Sequence, residues 1–141
     1  MLKCTPYAIE TEVPAELVLD SYPGPLGQVL TNLINNAVLH GFDGRAHGTI
    51  RISAAALGPG QVGLHVRDDG RGIPNDRLDR IFEPFYTTRM GRGGTGLGLH
   101  MVHGMVTNIL GGTVTVSSAA GVGTEFVLVL PEHAPLKPQP A

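Results

Sequence analysis

Apolar and polar positions follow two rhythms along this chain, one of period two and one of period near four. Residues 7–13 and 16–20 are short strand-like runs on either side of Pro14. After the turn SYPGP at 21–25, apolar residues recur at Leu26, Leu30, Leu33 and Ala37, a helical spacing that Pro25 opens and Gly41 ends. Residues 48–56 and 61–67 flank the turn GPG at 58–60 and read as a hairpin. In its second strand Val62, Leu64 and Val66 alternate with Gly63, His65 and Arg67. Residues 74–81 read as a short helix, 84–94 as a loop, and 95–110 as a second long helix closed by Gly111 and Gly112. Residues 113–117 and 124–130 form a second hairpin across AGVG at 120–123. No internal repeat interrupts this order. It predicts an α+β layer, with helices on one face of a mixed, mostly antiparallel sheet.

Length and charge narrow the function classes. The chain has 141 residues, the size of one domain, and enough to bury a core without disulfides or metals. Its net charge is -2 and its ten basic residues form no run, which argues against nucleic acid or an acidic membrane as the main partner. The single cysteine, Cys4, excludes an internal disulfide and fits a reducing compartment. No stretch approaches the roughly 18 apolar residues a membrane span needs, and the first ten residues lack the apolar region of a signal peptide. Residues 131–141, PEHAPLKPQPA, carry four prolines in eleven positions, so residues 132–141 are expected to form an extended, flexible tail after a domain at 1–131.

Three segments run against these patterns. In TNLINNAVLH at 31–40, asparagine crowds a helix it does not favour, and Gln28, Asn32, Asn36 and His40, four apart, line one stripe opposite the apolar face. Such a row is either a solvated face or a row of amide oxygens, the ligand type that suits magnesium. In VRDDGRGIP at 66–74 a strand ends in an acid followed by two spaced glycines. That is either an ordinary Asp-Gly turn or a carboxylate placed to accept from an exocyclic amino group. In IFEPFYTTR at 81–89 two phenylalanines bracket Glu83 and Pro84, and the segment runs into GRGGTGLGL at 91–99, five glycines in nine residues before a helix. Backbone N–H groups and the helix dipole make such a start an anion site, and Arg89 and Arg92 lie in the loop that would cover it. Other chemistries find no support: no GxxxxGK[ST], no GxGxxG after a strand, no GxSxG, and no HExxH or cysteine pair beside His100 and His103, which read as ordinary helix residues.

Taken together and in order, these segments resemble the ATP-binding catalytic domain of sensor histidine kinases, part of the wider group of gyrase, mismatch-repair ATPases and large heat-shock chaperones. The asparagine box is QVLTNLINNAVLHG at 28–41, the aspartate–glycine box DDGRGIP at 68–74, the phenylalanine box FEPFYTT at 82–88 and the last glycine box GGTGLGLHMV at 93–102. The closing hairpin GVGTEFVLVLP at 121–131 matches as well, so the resemblance covers roughly residues 7–131. It implies a two-layer α/β sandwich of the Bergerat type that binds ATP and Mg²⁺. It implies that Asn36 holds Mg²⁺ and that Asn32 is its phosphate-side companion. It implies that Asp68 reads the adenine amino group, supported by Thr124, with Gly70, Gly72 and Ile73 shaping the pocket. It implies that Gly94, Thr95, Gly96, Leu97 and Gly98 line the triphosphate, under a short lid at 87–93 from which Arg89 reaches the γ-phosphate.

The chain departs from the pattern in two places. Where many members carry a basic residue after the magnesium asparagine, it reads Val38, Leu39, His40, so phosphate neutralisation falls to His40 or Arg89. Where hydrolytic relatives place a glutamate one turn before that asparagine, it has Asn32, which cannot act as a general base. The resemblance therefore implies phosphoryl transfer to a protein nucleophile rather than hydrolysis. None of the six histidines sits in the His-Glu setting of a phosphoacceptor, so the chain is expected to be a fragment that does not autophosphorylate alone. Its expected partners are a dimerisation and histidine phosphotransfer domain of the same protein and a response regulator. The fragment is expected to be monomeric and cytoplasmic, within a parent that could be membrane-anchored. The alternative is a related module acting on serine, as an anti-sigma kinase does, or serving as an ATP-gated switch.

Overall fold

Burial follows the period-two rhythm on three neighbouring strands. The computed structural model describes residues 7–14, 21, 23–42, 47–78, 80–83 and 98–133. Its elements are β1 (Ala8–Glu12), α1 (Pro23–Asn36), a π-helical turn (Ala37–Gly41), β2 (Thr49–Gly58), β3 (Gln61–Asp68), α2 (Asn75–Leu78), α3 (Gly98–Asn108), β4 (Thr113–Ala119) and β5 (Gly123–Pro131). The five strands form one sheet in the order β1-β2-β3-β5-β4. β1 pairs parallel with β2, and the other three pairings are antiparallel. This is the mixed, mostly antiparallel sheet expected from the two hairpins.

The inner face of the sheet carries Ile50 and Ile52 on β2, Leu64 and Val66 on β3, Phe126, Leu128 and Leu130 on β5, and Val114 and Val116 on β4, all in or against one core. Register stacks them in rows, with Val66 opposite both Ile52 and Phe126, and Phe126 opposite Val116. The helices cover this face. From α1 and the π turn, Val29, Leu33, Ile34 and Ala37 are buried; from α3 come Val102 and Val106, followed by Leu110. Leu33 and Ala37 of the expected stripe are thus buried, joined by Val29 and Ile34, while Leu26 and Leu30 pack at the flank. With Gly24, Gly27 and three asparagines, α1 has weak intrinsic propensity, so this apolar stripe is what holds it helical.

Three elements differ from the sequence pattern. The first helix does not run straight into Gly41, because the Phe42 N–H reaches the Ala37 carbonyl, five residues back, at 2.9 Å. Phe42 is buried there and stacks on Tyr7 at the start of β1, with centroids 4.7 Å apart, which fastens the wider turn to the sheet edge. The short helix expected at 74–81 is helical only over Asn75–Leu78; none of those four residues is buried, so nothing extends it. The second long helix begins at Gly98 among the described residues, its expected start at 95 lying outside them, and it closes through a Gly112 N–H bond to the Val106 carbonyl at 2.9 Å. The strand expected at 16–20 and the tail from 134 onward also lie outside the described residues.

Leu128 is fully buried where β5 meets both helices. Leu128→Ala is expected to cost about 2–5 kcal/mol. A lowered denaturant midpoint at unchanged slope is the expected result, and an unmoved midpoint would place the stabilising core elsewhere.

Candidate functional site

The inner rows of β3, β5 and β4 are apolar until all three strands reach the same end of the sheet, where they turn polar together. Asp68 pairs in register with Thr124, and Thr124 with Ser118, so the three form one cross-strand row beside the core. Asp68 and Thr124 are only 6% and 5% exposed, the sole buried polar or charged residues among those described. Buried polar groups need partners. The Gly70 N–H donates to Asp68 Oδ1 at 2.8 Å, the Ile73 N–H donates to Ser118 Oγ at 2.7 Å, and Ser118 Oγ lies 2.9 Å from Thr124 Oγ1.

The structure separates two adjacent aspartates that look alike in sequence. Asp68 points inward from the end of β3. Asp69 is exposed, and its Oδ1 accepts the Thr49 N–H at 2.9 Å, tying the loop to the start of β2. The inward carboxylate, not the exposed one, belongs to the buried polar row.

Close backbone contacts fix the loop after Asp68. A Cβ at Gly70 would lie 2.5 Å from the Gly41 carbonyl oxygen, and one at Gly72 would lie 2.3 Å from that of Ala119. The Arg71 N–H donates to Gly41 O at 2.9 Å, and Arg71 O accepts the Gly121 N–H at 2.8 Å. The loop is therefore clamped between the end of the π turn and the β4–β5 turn. Gly70 and Gly72 admit these neighbouring backbones. Gly123 does the same from the other side, since a Cβ there would stand 2.1 Å from Asp68 O.

The amide row lies on the adjoining helix. The Gln28 Nε2 donates to Asn32 Oδ1 at 2.8 Å, and Asn32 Nδ2 points to the Gly98 carbonyl at 3.4 Å. That contact brings the asparagine box to the first residue of α3, which lies within the glycine box. Asn36 closes α1, half-buried, and its carboxamide makes no cap hydrogen bond to the turn that follows. Steps of four residues drift by about 40° around an α-helix. Beyond Asn36 the chain widens into the π turn, and His40, the last of the four, lies in that turn. Among the described residues, a Cβ at Gly98 would meet nothing within 4 Å.

Arg89, Gly94, Thr95, Gly96 and Leu97 lie outside the described residues, as do Arg92 and residues 84–88 of the phenylalanine box. Phe82, at the start of that box, packs edge-on to Phe126 with ring centroids 6.2 Å apart. His100 and His103, which read as ordinary helix residues, both meet Phe82. His100 Nδ1 lies 3.2 Å from its carbonyl oxygen, and the His103 ring is centred 5.7 Å from its ring. Two further residues of the site were not expected from the sequence. Gly41 appeared as a helix stop and as the last residue of the asparagine box, with no site role of its own, yet a Cβ there would lie 3.1 Å from Asp68 Oδ1. Ser118 did carry a signal, being the polar residue at an inward position of a strand whose other inward residues are Val114 and Val116.

Comparison with known proteins agrees with the fold. Residues 22–134 match the family described as histidine kinase-, DNA gyrase B-, and HSP90-like ATPase. The chain is similar to the two-component sensor PprA of Pseudomonas aeruginosa, at 44% identity over 92% of this chain and 14% of that protein. It is also similar to the sensor histidine kinase ZraS of Escherichia coli K12, at 46% identity over 77% of this chain and 22% of that protein. It therefore spans less than a quarter of the length of either relative. Among solved structures, a mycobacterial sensor histidine kinase, MprB, superposes with a TM-score of 0.75 at 25% identity, covering 92% of this chain and 86% of that one. The catalytic domain of histidine kinase ThkA superposes with a TM-score of 0.74 at 28% identity, covering 90% of this chain and 78% of that one.

The glycines divide into two kinds, and substitution separates them. Gly70→Ala drives a methyl into the Gly41 carbonyl and is expected to destabilise by about 1–3 kcal/mol, the cost of overpacking a closed contact. Gly98→Ala, at an open helical position, is expected to leave the melting temperature unchanged or raise it, by up to about 1 kcal/mol in stability. Equal losses in thermal melts of the two variants would contradict the division.

Proposed function

This chain belongs to the family of histidine kinase-, DNA gyrase B-, and HSP90-like ATPases, and on that footing we propose that it is the ATP-binding catalytic part of a two-component sensor histidine kinase. The observation that carries this reading is a double convergence. Asp68 meets Thr124 at one end of the sheet, and Asn32 meets Gly98 where the helix after the glycine run begins. One corner gathers a buried acceptor pair, a row of amides and a helix N-terminus, which are the parts a purine nucleotide with a phosphate tail needs.

Asp68, as a carboxylate, can only accept hydrogen bonds, so it suits the 6-amino group of adenine, with Thr124 beside it. The phosphates run toward the start of α3, whose first N–H groups have no partner within the helix and whose dipole favours negative charge. The open space over Gly98 fits close approach there. Gly94, Thr95, Gly96 and Leu97 precede it in the same run, and Arg89 is the cation we place over the γ-phosphate, with His40 as the alternative.

Asn36 would give one carboxamide oxygen to Mg²⁺, whose role when bound is to neutralise charge on the transferring phosphoryl group. Among the described residues no group of three or more His, Cys, Asp or Glu could hold a metal ion. That fits a cation ligated mainly by phosphates and water. Asn32 stands one turn before Asn36, and its carboxamide cannot take a proton from water, which favours transfer over hydrolysis. The acceptor is a histidine on a dimerisation domain beyond this sequence, and the phosphoryl group passes from there to a response regulator. We place the domain in the cytoplasm; no helix among the described residues is long and apolar enough to cross a membrane.

Asp68→Asn replaces an acceptor with a donor beside the amino group. It is expected to weaken Mg-ATP binding about 10- to 100-fold in titration calorimetry, the effect of losing a hydrogen bond to a charged group. Unchanged affinity would sink the adenine assignment. Asn36→Ala is expected to weaken ATP binding much more in Mg²⁺ than in EDTA, and equal losses under the two conditions would remove Asn36 from the metal site.

A further inference from the structure

Ser118 has used every hydrogen-bonding capacity of its hydroxyl. A serine hydroxyl donates one proton and accepts two. The Ile73 N–H can only donate, and it meets Ser118 Oγ at 2.7 Å. The Gly123 carbonyl can only accept, and it lies 2.8 Å from the same oxygen, so it takes the one Ser118 proton. The remaining contact, to Thr124 Oγ1 at 2.9 Å, then has a single solution: the Thr124 hydroxyl donates to Ser118. With that proton committed, Thr124 presents only lone pairs to its other neighbours. Asp68, its register partner on β3, is a carboxylate and also presents only lone pairs.

We propose that Ser118 is a specificity-determining positioning residue: by holding the Thr124 proton, it makes the Asp68–Thr124 row an acceptor-only edge that selects 6-amino over 6-oxo purine nucleotides. An adenine amino group brings two donors to this edge. At the 6-position a 6-oxo purine sets a carbonyl acceptor against these acceptors, its one donor on that edge being the neighbouring N1–H, so the 6-substituent and the groups facing it are left unpaired, the situation that discriminates most strongly between close analogues. Ser118 need not touch the base. It acts through Thr124, and it joins three segments in doing so: the loop after Asp68, the end of β4 and the start of β5. The inference rests on the reading of Asp68 as the partner of the purine 6-position.

The test compares Mg-ATP with Mg-ITP, which differs from ATP only at that edge of the base, by titration calorimetry on the whole chain. In Ser118→Ala the Thr124 hydroxyl is released and gives the row its first donor. The ratio of ATP to ITP affinity is expected to fall about five- to tenfold, the size of one hydrogen bond gained or lost. Ser118→Thr keeps a hydroxyl at the same position and is expected to retain most of the wild-type ratio. Thr124→Val removes the oriented oxygen without touching Ser118 and is expected to lower the ratio as Ser118→Ala does. Equal weakening of both nucleotides in Ser118→Ala, with an unchanged ratio, would show a structural role only and overturn the proposal. A wild-type ratio near one, or an unchanged ratio in Thr124→Val, would overturn it as well. Asp68→Asn in the same series isolates the underlying reading: unchanged ATP affinity there would remove the base assignment itself, whatever Ser118 does.

Discussion

The site depends on one constraint of the sheet, that the apolar inner rows of three adjacent strands end at the same level. Val66, Phe126 and Val116 form the last apolar row, and Asp68, Thr124 and Ser118 form the next. A carboxylate and a hydroxyl beside a dry core stay there only if their partners are built in. Those partners come from the chain's return loops, through the N–H groups of Gly70 and Ile73. The core thus positions the polar row, and the polar row in turn fixes the loops that wall it.

Backbone proximity holds the second half of the site. The Gly41 carbonyl receives the Arg71 N–H, and Gly41 also lies against the Asp68 carboxyl group. The end of the asparagine helix is thereby set against the aspartate loop. The π turn makes this possible, since it lets Phe42 swing into the core under Tyr7 and leaves Gly41 facing the loop. On the far side of α1, Asn32 reaches the first residue of α3. Four segments far apart in sequence meet at one corner because two helices and one sheet end share it. The ion pairs of the exposed surface, such as Arg51 with Glu10 at 2.9 Å, add little to this frame, because solvent screens them.

Much of this could be read from the residues. Both hairpins were legible because alternation meets glycine-rich turns, and the acid at the end of the first hairpin stood out by the two spaced glycines that follow it. The amide row stood out because asparagine conflicts with helix propensity. What escaped was tertiary in origin. Nothing local marks Ala37–Gly41 as a π turn, which follows from where Phe42 is buried. The roles of Gly70 and Gly72 were visible as a need for glycine, but not that the neighbours requiring it are the backbones of Gly41 and Ala119. Ser118 was passed over because the strand was expected to end at residue 117, whereas β4 runs on to Ala119 and carries the alternation of Val114 and Val116 through to Ser118.

The most direct measurement is a crystal structure of this chain with a non-hydrolysable ATP analogue and Mg²⁺. The account predicts the adenine 6-amino group within hydrogen-bonding distance of Asp68 Oδ, Thr124 beside that edge, and the triphosphate lying between Asn36 and the first turn of α3. A nucleotide bound with its base turned away from the Asp68–Thr124–Ser118 row, or with its phosphates away from the start of α3, would contradict it.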